Sequence, residues 1–179
     1  MAEIRSKENI AVAIASSGIA ATLLDGGRTA HSALKLPWNI QTNENAICKI
    51  KQQSGMAIVL QKCHIIIWKE CTMANKQAPE ALNRTLKDLR GNERLFGEAL
   101  ILLYGDFRQT LPVIQRSTYA DEINACLKSS SFLRSIHTLK LTTNMRVRLH
   151  NDSSAESFLK QLLYIGNGKT TINPRKSKN

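Results

Sequence analysis

Three apolar runs set the rhythm of this chain, and each stops abruptly at small or charged residues. Ile10-Ala-Val-Ala-Ile-Ala15 closes at Ser16-Ser-Gly18, Ile65-Ile-Ile-Trp68 closes at Lys69 and Glu70, and Ala99-Leu-Ile-Leu-Leu-Tyr104 closes at Gly105 and Asp106. Unbroken apolar character over such short stretches predicts buried strands of the kind found in parallel sheets. Parallel neighbours must be joined by a crossover. Between the second and third runs, Ala81, Leu82, Leu86 and Leu89 fall near helical spacing, so residues 78–90 are expected to cross back as a helix ended by Gly91-Asn92, with Arg84, Lys87 and Asp88 facing water. A strand with a merely solvated end explains each apolar run on its own.

The remaining pattern fills in the order. Ile19–Leu24 predicts a helix stopped at Asp25-Gly-Gly27, and residues 37–55 read as a polar, irregular excursion around a small apolar patch at Ala46-Ile-Cys48. Met56–Leu60 is helix-like. Tyr119–Leu127 and Phe132–Ile136 point to helical segments broken by Ser129-Ser-Ser131, and His137–Thr142 alternates as a further strand. Ser153–Ile165 predicts a hydroxyl-capped helix closed by Gly166 and Gly168, and residues 170–179 a frayed tail. No internal repeat is visible.

Length and charge narrow the class. A chain of 179 residues fits one domain, or one domain and part of another, and 42% hydrophobic content supports an adequate core. Lys+Arg 25 against Asp+Glu 14, a formal charge of +11, favours a polyanionic partner such as nucleic acid. Cys48, Cys63, Cys71 and Cys126 are far apart and the histidines equally scattered, so no zinc-site spacing exists and free thiols in a reducing compartment are the expectation. There is no apolar run long enough to span a bilayer and no signal peptide, which predicts a soluble, intracellular protein, nuclear or mitochondrial in a eukaryote.

The chemistry-bearing residues collect where strands end, and in open α/β sheets ligands sit outside those ends. Ser16, Ser17 and Gly18 combine hydroxyls and close backbone approach near a helix start, suited to phosphate or to a plain structural turn. Arg28, Thr29, His31, Ser32 and Lys35 supply cations, hydroxyls and an imidazole for a sugar-phosphate chain; a polar helix start capped by Thr29 or Ser32 explains them equally. A carboxylate such as Glu70 can orient an attacking water, and the Gln109 amide can bond a terminal phosphate without titrating. Asp106 and Arg108 fall beside it, and Arg146 offers a planar fork for phosphate or an ordinary surface arginine.

Gly105-Asp-Phe-Arg-Gln-Thr-Leu-Pro-Val113 resembles the third helicase motif of the Pif family of DNA helicases, including forms encoded by Helitron-type transposons. Four further blocks occur in the expected order: residues 15–24, Gly27-Arg-Thr-Ala-His-Ser32, residues 65–73 and Leu141-Thr-Thr-Asn-Met-Arg146. The resemblance implies an α/β fold, a RecA-like P-loop NTPase lobe with a mostly parallel sheet flanked by helices. It implies ATP and Mg²⁺ as cofactors and single-stranded DNA as partner, with movement in the 5′ to 3′ direction serving repair, recombination or telomere maintenance. It assigns Glu70, Gln109 and Arg146 to catalysis, Arg146 as an arginine finger, and Asp106 and Arg108 to the nucleotide. Ser16, Ser17, Gly18, Arg28, Thr29, His31, Ser32 and Lys35 fall to DNA.

Two departures qualify that expectation. Where the family has an aspartate that holds magnesium, this chain has Lys69, and nothing matches Gly-x-x-x-x-Gly-Lys-[Ser/Thr], the loop that cradles phosphates. The expected organisation is an incomplete lobe over residues 1–146, a helical connection over 147–169 and a tail over 170–179, the central portion of a larger protein. Negligible ATPase is expected of these residues alone, with a non-catalytic nucleic-acid-binding remnant as the alternative.

Overall fold

The computed structural model describes residues 9–143, 145 and 153–169. They fall in two compact units, Met1–Ile136 and His137–Asn179. The first holds a parallel sheet of four strands, β1 (Ala11–Ala15), β2 (Arg28–Thr29), β3 (Ile65–Lys69) and β4 (Leu100–Tyr104), in the order β2-β1-β3-β4. Three helices intervene in this unit between β1 and β3: α1 (Gly18–Thr22), α2 (Ala30–Leu34) and α3 (Gly55–Lys62). The crossover from β3 to β4 is α4 (Gln77–Arg90), and α5 (Tyr119–Ala125) follows the sheet.

Local chemistry explains the helix limits. The hydroxyls of Ser17, Thr29 and Ser54 cap α1, α2 and α3, accepting from the amides of Ala20, Ser32 and Ala57. Pro79 sits in the first turn of α4, where its missing N–H leaves no bond unmade. Gly91 then ends α4 in the left-handed region at φ 56°, and the Asn92 amide donates back to the Lys87 carbonyl.

Register divides the sheet into two faces. Val12, Ile14, Ile66, Trp68, Ile101 and Leu103 share one face and pack with Leu34 of α2, Leu60 of α3 and Leu82 and Leu86 of α4. On the other face Ala15 packs under Ala20 and Ala21 of α1, but Leu100, Leu102 and Tyr104 remain 63%, 47% and 48% exposed. The third apolar run, expected to be a buried strand, thus lies at the edge of the sheet with one exposed face among the described residues. No further strand pairs with it among the described residues.

Three other expectations change. The 37–55 excursion is irregular, as read, but fastened down rather than apart from the core: Ile40, Ala46 and Cys48 are buried in the main core, and the Cys48 amide donates to Thr85 Oγ1 at 2.9 Å. Arg84 turns inward rather than to water, its Nε donating to the Ala46 carbonyl at 2.8 Å. In the second unit, residues 137–142 form no strand, with Leu139 and Leu141 exposed, whereas α6 (Ser153–Gly166) follows the predicted helix closely. The 170–179 tail lies outside the described residues.

Candidate functional site

The carboxyl ends of β1, β3 and β4 are cross-tied. Past β1, the Ser16 amide donates to the Lys69 carbonyl at 3.1 Å, and Ser16 Oγ accepts from Trp68 Nε1 at 3.0 Å. Ser17 is occupied as the α1 cap. A side chain at Gly18 would meet nothing within 4 Å, so packing inside the chain does not explain this glycine.

Past β3, Glu70 adopts left-handed backbone, φ 54° and ψ 38°, a conformation that costs a non-glycine residue roughly 1–3 kcal/mol and recurs where function holds a residue in place. Its Oε2 is buried without a hydrogen-bond partner. A buried acceptor without a donor is expensive, and a ligand hydroxyl or water would relieve it. Burial pushes the neighbouring Cys71 thiol up to about 12, against a backbone hydrogen bond that lowers it, and the Glu70 carboxylate raises it further.

Past β4, the chain runs so close to the β3 end that a Cβ on Gly105 would lie 2.8 Å from Thr72 Oγ1. Buried Thr72 donates from Oγ1 to the Asp106 carbonyl at 3.3 Å, tying the turn after Glu70 to the loop that carries Gln109. Asp106 Oδ1 in turn accepts from the amide and Nε of Arg108, at 2.9 and 3.2 Å. Arg108 is therefore engaged by its own loop, while Gln109 is exposed. Lys128 stands over the Phe107 ring, 4.6 Å from its centroid.

Beside these ends lies a cavity of about 240 Å³, lined among others by Ser16, His31, Ile40, Met73, Asn75 and Pro112. Gln41 Nε2 donates to the Val113 carbonyl at 3.4 Å, joining the excursion to the loop after Gln109. The structure so brings Ser16 and His31 to one concavity. Arg28 Nη2 donates to Ser32 Oγ at 3.2 Å, Thr29 caps α2, and Lys35 ends that helix at φ 51°, so two cations and two hydroxyls lie on one short segment beside it. Arg146 lies outside the described residues.

The residues at the β3 end do not fit a divalent cation. Lys69 occupies the strand terminus, its carboxylate neighbour in the chain is Glu70, and no group of three or more His, Cys, Asp or Glu side chains that could hold a metal ion occurs among the described residues; hard cations take several oxygen ligands. Two unit charges 4 Å apart at an effective dielectric of about 20 interact by about 4 kcal/mol, and a divalent ion doubles that repulsion from the ammonium.

Several contributors escape sequence reasoning. Gln41 and Asn75 carry no motif signal, and Trp68 and Thr72, though inside the 65–73 block, are not singled out by it, because their roles arise from contacts between segments far apart in the chain. The intermittent Leu36, Ile40, Ala46 and Cys48 were the one sequence hint that the excursion is walled into the core.

Comparison with known proteins gives this geometry its context. The family model described as PIF1-like helicase matches residues 1–176. The ATP-dependent DNA helicase RRM3 of Saccharomyces cerevisiae is 25% identical over 177 residues, 99% of this chain and 23% of that protein. The ATP-dependent DNA helicase PIF1 of Candida albicans is 32% identical over 117 residues, 65% of this chain and 13% of the relative. Among solved structures, Bacteroides Pif1 bound to ssDNA gives a TM-score of 0.73 at 22% identity, covering 95% of this chain and 39% of that one. Bacteroides Pif1 in complex with ADP-AlF3 and ssDNA gives 0.74 at 22% identity, covering 92% and 38%. These structural likenesses establish the RecA-like fold of the parallel sheet; this chain spans only a fraction of each relative's length. With the family model matched over nearly all of its residues, the chain belongs to the PIF1-like helicase family.

Proposed function

We propose that this chain supplies part of the first motor lobe of an ATP-dependent DNA helicase, its strand ends facing single-stranded DNA and the phosphates of a nucleotide. The observation that carries the reading is the convergence of Ser16, Glu70 and the 105–109 loop at cross-tied strand ends, with Glu70 Oε2 left without a donor. Relatives named ATP-dependent DNA helicases and a structural neighbour holding ADP-AlF3 and ssDNA support it. In this reading Arg28, Thr29, His31, Ser32 and Lys35 hold the sugar-phosphate chain, aided by Ser16, Ser17 and Gly18. Glu70 orients water, Gln109 senses the terminal phosphate, and Arg146 neutralises charge in the transition state. Translocation from 5′ to 3′ in repair, recombination or telomere maintenance belongs to the whole helicase. For these residues alone we expect negligible ATP turnover.

Fluorescence anisotropy of a labelled oligothymidylate, titrated at several salt concentrations, tests the DNA face. Each lost phosphate contact lowers the log–log salt slope by about 0.7, so replacing both Arg28 and Lys35 with Ala should lower it by about 1.4. An unaltered slope and affinity would remove this segment from the DNA path.

Lys69 favours a second reading, a non-catalytic nucleic-acid-binding protein. DNA affinity that ignores nucleotide and survives Glu70→Gln undiminished would select it; nucleotide-dependent DNA affinity would reject it.

A further inference from the structure

Lys69 closes β3 level with Ala15 of β1 and Tyr104 of β4, and its carbonyl accepts the Ser16 amide, so its backbone is held from both sides. Among the described residues no carboxylate forms an ion pair with its ammonium. The next residue holds a buried carboxylate oxygen without a donor. A cation with no ion-pair partner among the described residues therefore stands next in the chain to an acceptor lacking a donor, at the strand end where a divalent ion does not fit.

We propose that this strand end binds the polyphosphate of a nucleotide with the Lys69 ammonium in the charge-neutralising place of a metal, so that binding needs no Mg²⁺. The inference rests on the nucleotide-facing reading of the strand ends. Lysine binds phosphate as a point charge, without the geometric demands of a coordinated ion. Mg²⁺ opposes such binding twice: it is repelled by the ammonium, and in solution it masks the polyphosphate charge that the ammonium attracts. Glu70 cannot take a phosphate oxygen, so its free acceptor is left for a hydroxyl or a water.

The test is calorimetric titration of the full chain with ATP and with inorganic tripolyphosphate, in EDTA and in excess Mg²⁺, beside oligothymidylate anisotropy on the same preparations. Both ligands should bind in EDTA and more weakly with Mg²⁺. Loss of the ammonium's attraction in Lys69→Met should weaken ATP binding in EDTA roughly tenfold, while Lys69→Arg, which keeps the charge, holds it within about threefold. ATP binding seen only with Mg²⁺, or unaltered in a folded Lys69→Met chain, overturns the proposal. Should Lys69→Met fail to fold, the unsubstituted chain decides alone, and absence of ATP binding in EDTA overturns it. Nucleotide binding lost with DNA binding intact refutes this inference only; loss of both in a folded chain refutes the helicase-lobe reading as well.

Discussion

Strands β3 and β4 are both mostly apolar, five residues each and paired residue for residue, yet they live in different environments. Every residue of β3 is buried or half-buried, and Trp68 is fully enclosed. In β4 every second residue is exposed. Position in the sheet makes the difference: β3 has a strand on either side, and β4 has one on a single side among the described residues. The polar groups that follow inherit the contrast. Glu70 leaves β3 in left-handed backbone with a buried, unpartnered oxygen, whereas Gln109 leaves β4 in the open.

The contrast can be broken most forcefully at its centre. Trp68→Ala removes a fully buried ring together with the Nε1 hydrogen bond to Ser16, and should cost about 3–5 kcal/mol, read as a fall in urea midpoint. A loss no larger than that of a surface change would mean that β3 is not the core strand.

Next in size is a pH effect from the turn after β3 and from the buried excursion. Burial pushes Cys71 up from an ordinary 9.0 to about 12, and Cys48 up to about 11 despite the Thr85 and Arg84 contributions that lower it. Folded values above unfolded ones mean that the neutral thiols' contribution is fully present below about pH 9 and is lost as pH rises toward 11–12. Each thiol should remove up to about 1.4 kcal/mol per pH unit in that window. Denaturation midpoints measured at pH 7 and pH 10 check this, with a Cys48→Ala, Cys71→Ala chain expected to show a flatter decline.

A smaller effect is expected where β4 meets the β3 end. Gly105→Ala would place a Cβ 2.8 Å from Thr72 Oγ1 and 2.9 Å from its Cγ2, so the loop must shift, at about 1–3 kcal/mol. Gly105→Ala, Thr72→Ser should recover part of that loss, because one of the two clashing atoms is removed; a double-mutant cycle in urea measures the recovery. The smallest effect is expected on the bare face of β4, where Leu102→Ser should change stability by no more than about 0.5 kcal/mol. A large loss there would show that the face is covered.

Strand identity was written locally, and the two faces of β4 were not. Continuous apolar runs located β1, β3 and β4 to within a residue, and the Thr29 and Gly91 caps followed from elementary hydrogen-bonding needs, whereas the Ser17 cap came only with the structure. The alternation at 137–142 misled because a period of two signals a strand only where a partner strand accepts its hydrogen bonds, and none does among the described residues. Arg84 misled because helical spacing says which residues share a face, not what another segment brings to it: the Ala46 carbonyl waits there.

By itself the sequence determined a basic α/β chain of the PIF1-like helicase family, with Glu70, Gln109 and the Ser16–Lys35 segment as candidate positions for its chemistry and Lys69 as a departure from the family pattern. Only the tertiary structure decided that Thr72 joins the β3 turn to the Asp106 loop, that Ser16 and His31 share a cavity, that Arg108 is tied to Asp106, and that β4 stands at an edge of the sheet among the described residues. The reason is range. Runs, caps and motifs arise from neighbours a few residues apart, whereas a sheet edge, a buried oxygen and a cavity wall depend on segments that meet only when the chain is folded.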